Sequence, residues 1–234
     1  MTMDASSVAA GLDRVRDQIA DAGGDPEAIR VVAVTKGFGP EAPLAALGAG
    51  LADLGENYAQ ELLEKAEAVE ATDETSSARW HFIGRLQSNK VRLLADRVGC
   101  WQSIDRPSLV DELARRAPGA RLLVQVDAAG EPGKGGADPA DVPDLVARAR
   151  DVGLEVEGLM AVGVFGDEPA TEAAFATTTA LADRLGLPQR SLGMSGDLAA
   201  AVRAGTTMVR VGTALFGPRP PAGHSQRVRP PVRD

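Results

Sequence analysis

A lysine that closes an apolar, β-branched run is the first residue of this chain with the makings of chemistry. Ile29-Arg30-Val31-Val32-Ala33-Val34-Thr35 leads into Lys36, and Gly37 ends the run. An ammonium set against such a strand loses hydration, so its pKa tends to fall. The neutral amine is the form that attacks a carbonyl to give a Schiff base. The same position also suits a solvated lysine at the start of a loop, and the run alone does not separate the two. A second signal lies far along the chain. Ser195-Gly196-Asp197 stands before Leu198-Ala199-Ala200-Ala201-Val202 like the N-cap of a helix, and Gly212-Thr213 sets a residue that permits close approach beside a hydroxyl donor. Backbone N–H groups at turns of this kind bind phosphate. Ordinary turn and capping chemistry uses the same residues, so the lysine and the two turns together say more than any of them alone.

Other arrangements fall short. Gly193-Met194-Ser195-Gly196-Asp197 lacks the last glycine of a nucleophile elbow. Gly130 to Gly136 contains Lys134 but has neither the spacing nor the Ser/Thr of a Walker loop, and there is no dinucleotide fingerprint. Cys100, in Val98-Gly99-Cys100-Trp101, reads as a buried structural thiol. Trp80 and Trp101 flank strands as core residues. His81 is either a site residue or a hydrogen-bonded structural histidine. Two histidines and one cysteine do not make an ordinary zinc site.

Something must hold these residues in place. Residues 6–22 read as an amphipathic helix, with Val8, Leu12, Val15 and Ile19 at helical spacing. The run into Lys36 then reads as a strand buried on both faces, as in parallel sheets. Further strands are expected near residues 51–55, 80–83, 100–104, 122–126, 156–160, 190–192 and 208–211. Helices are expected over 40–47, 58–69, 89–97, 108–116, 142–152, 170–185 and 197–204. Eight strand–helix steps after one leading helix favour α/β architecture closed as a single (β/α)8 TIM-type barrel. Active sites of such barrels lie at the C-terminal ends of the strands, where Lys36, Glu56-Asn57-Tyr58, His81 to Lys90, Gly130 to Gly136, Gly193 to Asp197 and Arg210 to Thr213 fall. The barrel is expected to occupy residues 1–217. A Pro/Arg-rich tail follows over 218–234, read as solvated and disordered.

Composition limits the partners. Of 234 residues, 44% are hydrophobic and only 3% aromatic, so Ala, Val and Leu must build the core. Lys and Arg total 25 against 33 Asp and Glu, a net charge of −8 that argues against nucleic acid and membrane surfaces. The single cysteine fits a reducing compartment. No signal peptide or long apolar run is visible, so the protein reads as cytoplasmic, with a monomer expected.

Several motifs in register carry a family resemblance. They are Val32-Ala33-Val34-Thr35-Lys36, Gly55-Glu56-Asn57-Tyr58-Ala59-Gln60-Glu61, His81-Phe82-Ile83-Gly84-Arg85-Leu86-Gln87-Ser88-Asn89-Lys90, Gly158-Leu159-Met160, Ser191-Leu192-Gly193-Met194-Ser195 and Met208 to Gly217. From about Ile29 to Gly217 the chain resembles the YggS/PROSC family of pyridoxal phosphate homeostasis proteins. The resemblance implies the fold of the alanine racemase N-terminal barrel, with pyridoxal 5′-phosphate (PLP) held as a Schiff base on Lys36. It also implies phosphate around Ser195, Gly212 and Thr213, Asn57 close to the cofactor, and Arg210 facing the pyridine nitrogen. An arginine there disfavours protonation of that nitrogen and weakens PLP as an electron sink. Val162-Gly163-Val164 departs from a frequent proline in the family, and the loop from Asp127 to Gly136 lacks its usual Asn and Ser. The role of Lys134 stays open.

Two functions compete. One is a PLP-binding protein that buffers or delivers the cofactor, with apo PLP-dependent enzymes as recipients and no catalytic residues of its own. The other is an amino-acid racemase-like enzyme. Racemisation on this barrel needs a second base on the far face of the cofactor, a tyrosine from a separate domain. The only tyrosine is Tyr58, and little chain remains after Gly217, so binding is the expectation. A third reading, an aldolase-type lysine without PLP, would account for Lys36 alone.

Overall fold

The computed structural model describes residues 3–72, 78–130 and 135–219. Residues 73–77, Lys134 and nearly all of the expected tail lie outside them. Helix α1 (Ala5–Asp21) comes first, its N-terminus closed by a reciprocal cap. Asp4 Oδ1 accepts from the Ser7 amide at 2.9 Å, and Ser7 Oγ accepts from the Asp4 amide at 3.2 Å. Eight strand–helix steps follow: β1 (Arg30–Val34) and α2 (Glu41–Gly48), β2 (Asp53–Glu56) and α3 (Ala59–Glu70), β3 (Arg79–Phe82) and α4 (Ser88–Leu94), β4 (Val98–Ile104) and α5 (Pro107–Arg116). The second half continues with β5 (Arg121–Gln125) and α6 (Val142–Asp151), β6 (Glu155–Met160) and α7 (Glu168–Arg184), β7 (Gln189–Ser191) and α8 (Leu198–Arg203), then β8 (Met208–Val211) and α9 (Thr213–Phe216).

The strands form one closed parallel barrel in sequence order, sealed where Val31 of β1 pairs with Val209 of β8. The expected barrel with its leading helix is the fold observed. Strands 2 and 7 are short, four and three residues, and β7 meets β8 in register only at Ser191 and Met208. The turn of helix α9 was not expected, because four residues carry no periodicity.

Alternation along each strand separates two interiors. Val31, Ala33, Trp80, Phe82, Trp101, Leu122, Val124, Val209 and Val211 pack with helix residues into the main core between barrel and helices. Trp80 and Trp101 are core residues, as expected. Cys100, Leu123 and Met160 form a separate cluster, and the Cys100 thiol is pushed up to about 12, chiefly by burial. It is structural, as expected.

Candidate functional site

Lys36 follows β1 by two residues, and both peptides that flank it are pinned. Lys65, on α3, donates to the Thr35 carbonyl at 2.7 Å, to Glu56 Oε2 at 2.6 Å and to Glu61 Oε2 at 2.8 Å. Glu61 Oε2 also accepts the Gly37 amide at 2.9 Å, and Thr35 Oγ1 donates to Glu56 Oε2 at 3.1 Å. Glu56 Oε1 takes the Asn57 amide at 2.6 Å, so the ends of β1 and β2 share one anchor. Glu56 is 0% exposed and Lys65 3%. Burial raises the Glu56 carboxyl above its usual range, although Lys65 pulls it back.

Lys36 itself makes no hydrogen bond or ion pair among the described residues. It is half-buried, and its amine is held below the usual lysine range. Desolvation is the largest cause, and the charges of Arg219 and Arg210 add to it, against Glu56. The lowering is in the direction that the apolar run into Lys36 suggested.

Ser195 and Thr213 meet across the two last loops, with Thr213 Oγ1 3.3 Å from Ser195 Oγ. Both are exposed. Leu215 and Phe216 donate to Gly212 O, which leaves the Thr213 and Ala214 amides free of the helix ladder. Ahead of them, Gly193 has φ +90°, and a Cβ there would lie 2.5 Å from that of Ala201. Only glycine lets the β7 loop turn here. Asp197 stands at the N-cap of α8, as expected, but its carboxylate accepts the Met194 amide at 2.5 Å instead of capping the helix.

Arg210 of β8 is 4% exposed and lies across the ends of β6 and β7. It donates to Ser191 O at 2.5 Å, Ser191 Oγ at 2.6 Å and Ala161 O at 2.8 Å. Burial brings its guanidinium down to about 10, so it stays charged at neutral pH. Two of its five N–H groups have no acceptor among the described residues. Asn57 is half-buried, and its Oδ1 is buried without a partner. A Cβ on Gly84 would lie 2.1 Å from Asn57 O, so glycine lets the β3 loop press against Asn57.

The six expected site residues therefore fall at the same end of the barrel, on β1, β2, β7 and β8 or the loops that follow them. Lys36 and the Gly212–Thr213 turn follow neighbouring strands. His81 is not among them. It sits 1% exposed on β3, bonded to Asp53 and Gln102, and is a structural histidine. Sequence reasoning missed Glu56, Glu61 and Lys65, and it also missed Arg219. The stem of Arg219 lies 3.2 Å from the Cβ position of Gly37. The lysine on the buried face of α3, between Leu62, Ala66 and Val69, was the available signal for the first three.

An orphaned Asn57 oxygen, free Arg210 donors, an unpaired amine and a hydroxyl–amide turn fit a phosphorylated heteroaromatic aldehyde. Comparison with known proteins agrees with that chemistry. The model of the alanine racemase N-terminal domain family matches residues 7–220. A pyridoxal phosphate homeostasis protein of Pseudomonas aeruginosa is 38% identical over 228 residues, covering 94% of this chain and 97% of that protein. Another, from Deinococcus radiodurans, is 40% identical over 215 residues, covering 90% of this chain and 99% of its own length. The structure of PipY of Synechococcus elongatus with PLP bound superposes with a TM-score of 0.75 at 30% identity, covering 87% of this chain and all of that one. The chain belongs to the alanine racemase N-terminal domain family, within the group of pyridoxal phosphate homeostasis proteins.

Proposed function

We propose that this protein binds PLP reversibly at the C-terminal mouth of the barrel and serves intracellular PLP homeostasis, without substantial turnover of its own. Lys36 is the covalent anchor, through a Schiff-base linkage at Nζ. Ser195, Gly212, Thr213 and the free amides of the α9 turn hold the phosphate. Arg210 meets the ring nitrogen, and Asn57 lies against the ring. The cofactor would supply a reactive aldehyde, and the protein an amine of lowered pKa, an anion cradle and a cation that holds no carboxylate among the described residues.

The observation that carries this reading is the Lys36 amine, desolvated and without a hydrogen-bond partner among the described residues, at the same barrel mouth as the Ser195–Thr213 pair. The racemase-like alternative needs a second acid–base group over the cofactor. Tyr58, the only tyrosine, is 59% exposed at the N-terminal cap of α3. A cytoplasmic location accords with there being no helix among the described residues long and apolar enough to cross a membrane.

The test is the visible spectrum of the protein after addition of PLP, then borohydride reduction and peptide mapping. A trapped phosphopyridoxyl group on Lys36, and none in a folded Lys36→Ala variant, supports the proposal. No band after added PLP overturns it. Passage of PLP from the loaded protein to an apo PLP-dependent enzyme then separates a carrier from a protein that only stores the cofactor.

A further inference from the structure

The inside of a parallel barrel is ordinarily filled by layers of branched apolar side chains. Here a chain of hydrogen bonds crosses it. Asp53 of β2, His81 of β3, Gln102 of β4, Ser191 of β7 and Arg210 of β8 are all buried. Arg210 donates to Ser191 Oγ at 2.6 Å, and that hydroxyl lies 2.7 Å from Gln102 Oε1. Gln102 Nε2 reaches His81 Nδ1 at 2.8 Å and Met208 Sδ at 3.1 Å, and His81 Nε2 lies 2.7 Å from Asp53 Oδ1. At the far end Arg79 grips Asp53 at 2.6 and 3.2 Å, and Arg30 stands 3.8 Å away.

The direction of every bond follows from the donor inventory. Arg210 can only donate, so the single Ser191 proton goes to Gln102 Oε1. The Gln102 amide nitrogen then faces two acceptors, Nδ1 and the thioether, which fixes the amide against a flip. His81 must therefore carry its proton on Nε2 and give it to Asp53. Five side chains form one oriented row, a cation at the mouth end and a carboxylate at the other. Such a row specifies geometry when each member is satisfied, and it replaces apolar packing that would stabilise the barrel at least as well.

We propose that Gln102, His81 and Asp53 are positioning residues for Arg210. They set the acceptor face of Ser191 and so aim the guanidinium donors at the ring nitrogen of the cofactor. This inference rests on the reading that Arg210 meets that nitrogen. Arg210 has no carboxylate within hydrogen-bond reach among the described residues, so Ser191 and Ala161 alone orient it. Without Gln102 the Ser191 hydroxyl is free to turn, and one of the three Arg210 contacts loses its fixed direction.

The experiment loads the full chain with PLP labelled with ¹⁵N in the ring and replaces Gln102 by Met, which keeps the volume and removes both polar atoms. The expected result is a folded variant, still trapped by borohydride on Lys36, whose ring nitrogen resonance moves toward the pyridinium position. PLP affinity is expected to fall about tenfold, the scale of a disturbed hydrogen bond to a charged group. If Gln102→Met fails to fold, Ser191→Ala breaks the row one bond nearer to Arg210 and is read in the same way. A loaded variant with the wild-type resonance and affinity, whatever its melting temperature, overturns the proposal. The parent reading fails differently. Wild-type protein would take up no PLP, or Arg210→Gln would leave the resonance unmoved, and either result removes this proposal with it.

Discussion

Replacing Lys65 by Met isolates the anchor beneath Lys36. The substitution removes the donor to Thr35 O and to both carboxylates, and it leaves Glu56, 0% exposed, with no cation in contact. Deleting one partner of a buried ion pair costs about 3–5 kcal/mol. At about 2–4 °C per kcal/mol for a chain of this size, the melting temperature should drop by about 10 °C. The deficit should depend on pH. Burial already raises the Glu56 carboxyl in the native protein, and loss of Lys65 raises it further. A carboxyl whose folded pKa exceeds its unfolded value stabilises the fold at low pH and loses that stabilisation as pH rises through the folded value. The variant should therefore lie nearer wild type at pH 5 than at pH 8. Adding Glu56→Gln should recover at least half of the loss, because an amide can still accept from Asn57 N and donate toward Thr35 O. The assay is thermal unfolding of the single and double variants from pH 5 to 8. A loss that is the same at every pH and not relieved by Glu56→Gln would refute the buried-charge account.

Two further outcomes bear on the site itself. Arg219→Ala removes one of the charges that depress Lys36, so the pH midpoint for PLP attachment, followed by absorbance, should move up; a midpoint that stays put or falls would exclude Arg219 from the electrostatics of the amine. Thr213→Val removes an exposed hydroxyl beside Ser195, so stability should change by less than about 0.5 kcal/mol while unreduced PLP leaves about five- to tenfold faster in dialysis; unchanged release would take Thr213 out of the phosphate cradle.

The barrel was legible because its signal is repetitive. Apolar runs such as Val31–Val34 and Leu122–Val124 alternate with helical stretches often enough that the polar β2 and β7 do not hide the repeat. Lys36 stands out for a related reason, a charge set at the end of an apolar strand. What stayed hidden depends on contacts between distant positions. Glu56 and Lys65 are nine residues apart, yet their pairing requires β2 and α3 to be packed before it has meaning. The row from Asp53 to Arg210 draws on five strands, and none of its members has a local pattern that marks it. Arg219 was assigned to a solvated tail because Pro and Arg dominate its neighbourhood, whereas its stem lies beside Gly37. His81 stood between two readings until Asp53 and Gln102 were seen to take both of its ring nitrogens.

The barrel closes where β1 meets β8, and the proposed cofactor contacts stand on both sides of that seam. Lys36 comes from the first strand, and the Gly212–Thr213 turn follows the last. A ligand that joins them acts as a latch between the two ends of the fold, so occupancy should slow unfolding more than any single contact suggests. It also sets an order in time. On the proposed assignment, a chain that lacks β8 has its lysine but no cradle, so PLP should bind only once the barrel has closed.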